Sequence, residues 1–163
     1  MIKKNVDEHL FNESIKYLAK YPATKKRIYE LLNKKLKNKK IHLKIMIPEN
    51  QTKDEIINKI INKLEELNII NENLYIESMF HYYQQSLFSI RKIKNKLFQK
   101  GFEPKAIDEF IDQKFAENPE LEIEILKKYI VKKRLTDLEE PDLKKKLYQQ
   151  SFSDNSIFRV IKD

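Results

Sequence analysis

Ile93-Lys-Asn-Lys-Leu97-Phe98-Gln99-Lys-Gly101-Phe102 and Leu143-Lys-Lys-Lys-Leu147-Tyr148-Gln149-Gln-Ser151-Phe152 are two copies of one pattern, fifty residues apart. Apolar residues four apart mark one face of a helix. The same shift puts Ile107 on Ile157, Phe110 on Val160 and Ile111 on Ile161. A third copy precedes them. Ile28 and Leu32 match Ile93 and Leu97, with Thr24 on Ser89, while Ile57, Ile60 and Ile61 match Ile107, Phe110 and Ile111. The offset falls from 65 to 50 between these two helices, so the first copy carries an insertion of fifteen residues, within 33–52. The expected fold is all-α, with three tandem three-helix repeats over 8–67, 70–116 and 118–162. Each repeat buries little alone, so neighbours must stack, and an elongated, curved array is expected.

Helix boundaries follow from caps and breakers. Leu10, Phe11, Ser14, Leu18 and Tyr21 share a face of a first helix, 8–21, closed by Pro22. Thr24 caps the second helix, with Ile28, Leu32 and Leu36 on one face. Thr52-Lys-Asp-Glu55 is a capping box, opening a helix with Ile56, Ile57, Ile60, Ile61, Leu64 and Leu67 inward. Asn71 caps the next, with Tyr75, Ile76, Met79, Phe80 and Tyr83 inward, and Ser89 the one after, with Ile93 and Leu97. Gly101 stands where a left-handed residue ends a helix, and Pro104 starts the following one, whose inner face is Ile107, Phe110, Ile111 and Phe115. Asn118-Pro119 repeats the cap-then-proline device ahead of Ile125, Leu126, Tyr129 and Ile130. Pro141 starts a short helix with Leu143 and Leu147, and Ser153 or Asp154 caps the last, with Ile157, Val160 and Ile161. Ile41-His-Leu-Lys-Ile-Met-Ile47 alternates like a strand; a solvated loop is the reading favoured for it over a flap or a helix tail.

Composition narrows the function. The chain has 163 residues, one glycine and no cysteine. Nucleotide-binding loops and nucleophile elbows need two or more glycines within a few residues, so these are excluded. Without cysteine there is no thiolate metal site and no cysteine nucleophile. No run of eighteen apolar residues spans a membrane, and MIKKNVDEHLFNES lacks the apolar core of a secretory signal, so a cytoplasmic protein is expected.

The net charge of +8 is segregated. Lys16 to Lys44 holds eleven basic residues and one acidic, Arg91 to Lys105 six and one, Lys127 to Arg134 five and none. Such clustering suits a polyanion or an acidic partner. The candidate contacts are Arg27, Lys34, Lys35, Lys39, Lys40, Arg91, Lys92, Lys94, Lys132, Lys133 and Arg134. The acidic runs, Glu117, Glu120, Glu122 and Glu124 among them, read as solvated faces. His9, His42 and His81 lie far apart, and neither catalytic residues nor a metal or other cofactor is expected.

Four segments together resemble the RecX family of RecA modulators, in the form found in alphaproteobacteria. They are Tyr17-Leu18-Ala19-Lys20 followed by Thr24, Asn68-Ile69-Ile70-Asn71-Glu72-Asn73-Leu74-Tyr75, Ile93 to Phe102, and Ser151-Phe152-Ser153 through Val160-Ile161. The resemblance spans essentially the whole chain in order and spacing. Family aspartates become Asn71 and Glu72, a family glycine becomes Ser89, and His81 and Tyr83 stand where an arginine is usual. The resemblance implies a non-enzymatic regulator that binds the RecA–DNA filament; a monomer is expected, since nothing in the sequence demands a dimer. It implies, in the main, inhibition of strand exchange, ATP turnover and coprotease function in DNA repair and the SOS response. DNA would be contacted within the filament or weakly alone. The alternative is a free-standing basic nucleic-acid-binding protein, in which Tyr82, Tyr83 and Phe88 stack bases beside Arg91 and Lys92; at helical period these rings read first as core. A pure adaptor module stands third.

Overall fold

The computed structural model describes residues 4–38, 45–46 and 48–162. Among them are nine helices: α1 (Val6–Leu18), α2 (Lys25–Lys37), α3 (Lys53–Glu66), α4 (Glu72–Gln85), α5 (Ile90–Lys100), α6 (Pro104–Glu117), α7 (Leu121–Lys132), α8 (Glu140–Gln149) and α9 (Asp154–Lys162). The all-α expectation holds, with one small addition. Two-residue strands β1 (Lys4–Asn5) and β2 (Ile45–Met46) pair in parallel, Lys4 with Ile45 and Asn5 with Met46. The rest of the alternating stretch 41–47 lies outside the described residues, as do Lys39 and Lys40.

The chain divides into two compact units, Met1–Tyr75 and Ile76–Asp163. In the first, α3 packs on α2 and α1. Ile28, Leu32 and Leu36 meet Ile56, Ile57, Ile60, Ile61 and Leu64, and Val6 and Leu10 complete the cluster. In the second, α9 packs on α7 and α8, and α5 on α6. Ile93, Leu97, Ile107, Ile111, Leu126, Leu147 and Ile157 are all buried there. The fourfold spacing therefore selects the buried face in both units.

The predicted caps form. Backbone N–H groups donate to Thr24 Oγ1 from Arg27 (3.3 Å), to Asn71 Oδ1 from Leu74 (3.1 Å) and to Ser89 Oγ from Lys92 (3.3 Å). Both halves of the Thr52–Glu55 capping box are present. Ser153, rather than Asp154, caps α9, accepting from the Ser156 N–H (3.3 Å). Caps of this kind are each worth about 1 kcal/mol.

Helix ends follow one rule with different residues. Gly101 takes φ 98°, and Asn68, Leu87, Arg134 and Ser151 take φ of 54°, 58°, 53° and 65°. Each stands just past a helix, and the next N–H reaches back to a carbonyl five residues earlier: Ile69 to Leu64, Phe88 to Tyr83, Phe102 to Leu97, Leu135 to Ile130, Phe152 to Leu147. This satisfies otherwise orphaned carbonyls. A Cβ makes the left-handed region costly by roughly 1–2 kcal/mol, with asparagine the usual exception, so the Leu87, Arg134 and Ser151 turns carry strain that Gly101 avoids. The Gly101 and Ser151 turns are the two copies of the opening pattern, with the same hydrogen bonds.

Some boundaries shift. α1 begins at Val6, where Asn5 caps it through the Asp7 N–H (2.9 Å), and stops at Leu18 before Pro22 acts. Leu67, expected inside, is 55% exposed, because α3 ends at Glu66 and the chain turns away. Asn118 accepts from the Glu120 N–H (3.0 Å), but Pro119 sits in that turn and α7 opens only at Leu121.

Candidate functional site

The start of α5 is held by side chains from other parts of Ile76–Asp163. Its first N–H, on Ile90, donates to Glu122 Oε1 (3.1 Å). Glu122 Oε2 accepts from the Ser153 hydroxyl and from the Ser156 hydroxyl (2.8 Å), at the start of α9. One buried carboxylate, 6% exposed, thus holds the N-termini of two helices. A negative charge there opposes the positive helix ends and fills donors that would otherwise be orphaned. This corrects the reading of Glu122 as part of a solvated acidic run. Its neighbours do behave as expected of surface residues: Glu120 pairs with Arg159 (2.8 Å) and Glu124 is exposed.

Met1–Tyr75 contains the counterpart. Glu72 Oε1 accepts from the Lys25 N–H at the first position of α2 (2.6 Å). Glu72 and Glu122 are fifty residues apart, and their donors directly follow the matched caps Thr24 and Ser89. The opening shift contained this signal, since it places one glutamate on the other.

With α5 so fixed, the candidate cations can be sorted. Lys94 donates to Asp108 (2.7 Å) and Lys35 to Glu13 (2.6 Å), while Arg27 donates to Glu30 (2.9 Å). The bond from Lys35 holds the Glu13 carboxyl below its ordinary range. Lys92 donates to Gln150 Oε1 (3.0 Å) and lies over the Phe88 ring. These four serve internal contacts. Lys34, Arg91, Lys132, Lys133 and Arg134 are exposed and have no ion-pair partner among the described residues. Lys132 closes α7 and Lys133 and Arg134 directly follow it, where cations also complement the helix dipole. The structure brings Lys132, Lys133 and Arg134 together and places Arg91 beside Lys92. The first unit's candidates stand separately, on α2.

The aromatic group splits. Tyr83 is core, 6% exposed, and burial pushes its hydroxyl pKa up. Tyr82, the residue before it, is 59% exposed. Among the described residues no group of three or more His, Cys, Asp or Glu is placed to hold a metal, and no helix is long and apolar enough to cross a membrane.

Fold and surface define a class: an all-α protein of short capped helices whose distinctive chemistry lies on exposed basic and aromatic faces. The comparisons then narrow it to one family resemblance. Over 157 residues the chain is 25% identical to the regulatory protein RecX of Caldanaerobacter subterraneus subsp. tengcongensis, covering 94% of this chain and 78% of that protein. The fold matches the crystal structure of RecX from Lactobacillus salivarius with a TM-score of 0.72, at 22% identity, over 96% of this chain and 95% of that one. A second crystal structure, of regulatory protein RecX, matches with a TM-score of 0.68 at 21% identity, over 97% of this chain and 72% of that one. No family model matches the chain. The resemblance to the RecX family read from the four segments therefore holds in sequence and in fold: the chain is RecX-like along nearly its whole length.

Proposed function

We propose that this protein is a cytoplasmic regulator that binds RecA, or the RecA–DNA filament, and restrains its recombinase, ATPase and coprotease activities. The observation that carries this reading is the whole-length similarity to regulatory protein RecX. The unpaired cations support it. Lys34, Arg91, Lys132, Lys133 and Arg134 are the contacts ranked first, because no internal partner competes for them. Arg27, Lys35, Lys92 and Lys94 would each have to exchange an existing bond. Phosphates of a filament-bound strand, or acidic side chains of its protein, are suitable counterparts, and contacts to phosphate release counterions. We read the chain as one RecX-like domain of three repeats, 8–67, 70–116 and 118–162. A protein of this kind acts by occupancy and needs no catalytic group.

The experiment is co-sedimentation with preformed RecA filaments alongside RecA ATP turnover. Binding at micromolar concentration with reduced turnover is expected. Reversing Arg91, Lys132, Lys133 and Arg134 to glutamate is expected to abolish binding without unfolding the protein, since all four are exposed. A second reading, direct nucleic-acid binding without RecA, is favoured by one specific observation, the exposed ring of Tyr82.

A further inference from the structure

Among the described residues, the exposed large apolar side chains of Met1–Tyr75 are Tyr21, Leu67, Ile69 and Leu74. All four stand at one end of that unit, where α1 and α3 finish and α2 and α4 begin. Lys25 ties the two connections together: its N–H donates to Glu72 Oε1 (2.6 Å) and its ammonium pairs with Glu65 (3.0 Å). The surface is held in shape. The Tyr21 ring leans on Tyr17, 5.5 Å between centres, and Tyr17 packs against the core. The Ile69 N–H donates to the Leu64 carbonyl (2.8 Å) and the Asn71 amide to Asn68 Oδ1 (2.9 Å).

Scattered apolar residues on a surface are normal. The chain's own repeat shows that the turn does not need these. The fifty-residue shift that matches Glu72 with Glu122 and Asn68 with Asn118 puts Leu67 on Glu117, Ile69 on Pro119 and Leu74 on Glu124. Glu117, Pro119 and Glu124 are exposed as well. The turn is built with charged residues in one unit and apolar ones in the other. Holding Leu67, Ile69 and Leu74 in water brings the fold nothing, which marks this end as a contact surface.

The charge at its rim selects the partner. Lys20 and Glu66 are exposed, do not pair with each other, and have no ion-pair partner among the described residues. A basic or an acidic partner would satisfy one of them and oppose the other. A second copy related by a two-fold axis satisfies both, since Lys20 of each chain can meet Glu66 of the other. We propose that two copies of this protein associate through this end, with Tyr21, Leu67, Ile69 and Leu74 as the apolar centre and Lys20–Glu66 pairs at the rim. This replaces the monomer expected from the sequence. Four side chains make a small centre, so the dimer is of the weak, transient kind. It uses none of the cations assigned to the filament, so it stands or falls apart from the proposed function.

The test is sedimentation velocity of the full chain at low salt. The average mass is expected to rise with concentration from 19.7 kDa toward twice that value. Joint substitution Leu67→Glu and Leu74→Glu copies the residues of the matched turn. It is expected to leave a monomer at every concentration, with thermal melting as the check on folding. Lys20→Glu and Glu66→Lys are each expected to weaken the dimer about tenfold, because the two-fold axis repeats the like-charge contact. The two together restore it. Val131→Glu, at an exposed apolar residue of the other unit, changes nothing. A parent that stays monomeric at high micromolar concentration overturns the proposal. So does a dimer that survives the double leucine substitution, a double charge reversal that fails to rescue, or a mass that climbs past two copies. Loss of filament binding on the leucine substitutions, from a parent that is monomeric, gives this end to the filament instead.

Discussion

Glu72 and Glu122 hold equivalent places in the two units and carry different loads. Glu72 is partly exposed and accepts one backbone N–H, at the start of α2. Glu122 is buried and accepts from the start of α5 and from two hydroxyls at the start of α9. The same residue type at the same register is an accessory cap in one unit and a joint between three helices in the other. The difference lies in what surrounds each carboxylate. Ser153 and Ser156 bring two hydroxyls to Glu122, and burial makes every unsatisfied group there expensive. Substitutions should therefore separate the two positions sharply.

Glu122→Ala is expected to have the largest effect. It strands the Ile90 N–H and the buried Ser156 hydroxyl, at a cost of about 3 kcal/mol, while the exposed Ser153 hydroxyl can turn to water. For a chain this size that lowers the melting temperature by roughly 10 °C. Glu122→Gln should fall between that variant and the parent. Glu72→Ala, with one amide reached and water nearby, should cost about 1.5 kcal/mol by urea denaturation. Equal losses at the two positions would break the comparison.

The strained turns provide the next step down, in the opposite direction. Ser151→Gly should stabilise by about 1 kcal/mol, making the second copy of the opening pattern match the first. Leu87→Gly should gain a similar amount, also read from urea denaturation. A loss in either would mean that side-chain contacts outweigh the backbone term.

Glu13 provides the smallest effect and a pH signature. Its partner is the Lys35 ammonium, which depresses its pKa. A carboxyl lowered on folding contributes stability that is present above its unfolded pKa and fades as pH falls through the folded one. Lys35→Ala should cost under about 1 kcal/mol at neutral pH, since the pair is only partly buried. The gap between variant and parent should close as pH drops through the lowered pKa of Glu13. A gap that is constant across acid would assign the effect to packing of the lysine stem.

The two glutamates also show where sequence reasoning worked and where it stopped. Helices and caps were legible because the physics is local: Thr24, Thr52, Asn71 and Ser89 each serve an N–H three residues on. The core was legible because fourfold spacing marks a buried face, as at Ile28, Leu32 and Leu36. Glu122 was not singled out, because within Glu117, Glu120, Glu122 and Glu124 nothing local distinguishes it. Its role is set by α5 and α9, thirty residues away on either side. The candidate cations divide for the same reason. Lys94 and Arg91 look alike in the chain, yet only Lys94 faces an aspartate, Asp108, supplied by α6.

The central claim is that a RecX-like chain with free cations on its surface engages RecA filaments. It is tested most directly by sedimenting preformed RecA–single-stranded DNA filaments with the protein and with its Arg91, Lys132, Lys133 and Arg134 reversal variant. The account predicts that the parent pellets with the filament at micromolar concentration and slows ATP turnover, while the folded variant stays in the supernatant. A parent that remains in the supernatant at low salt, with turnover unchanged, contradicts it.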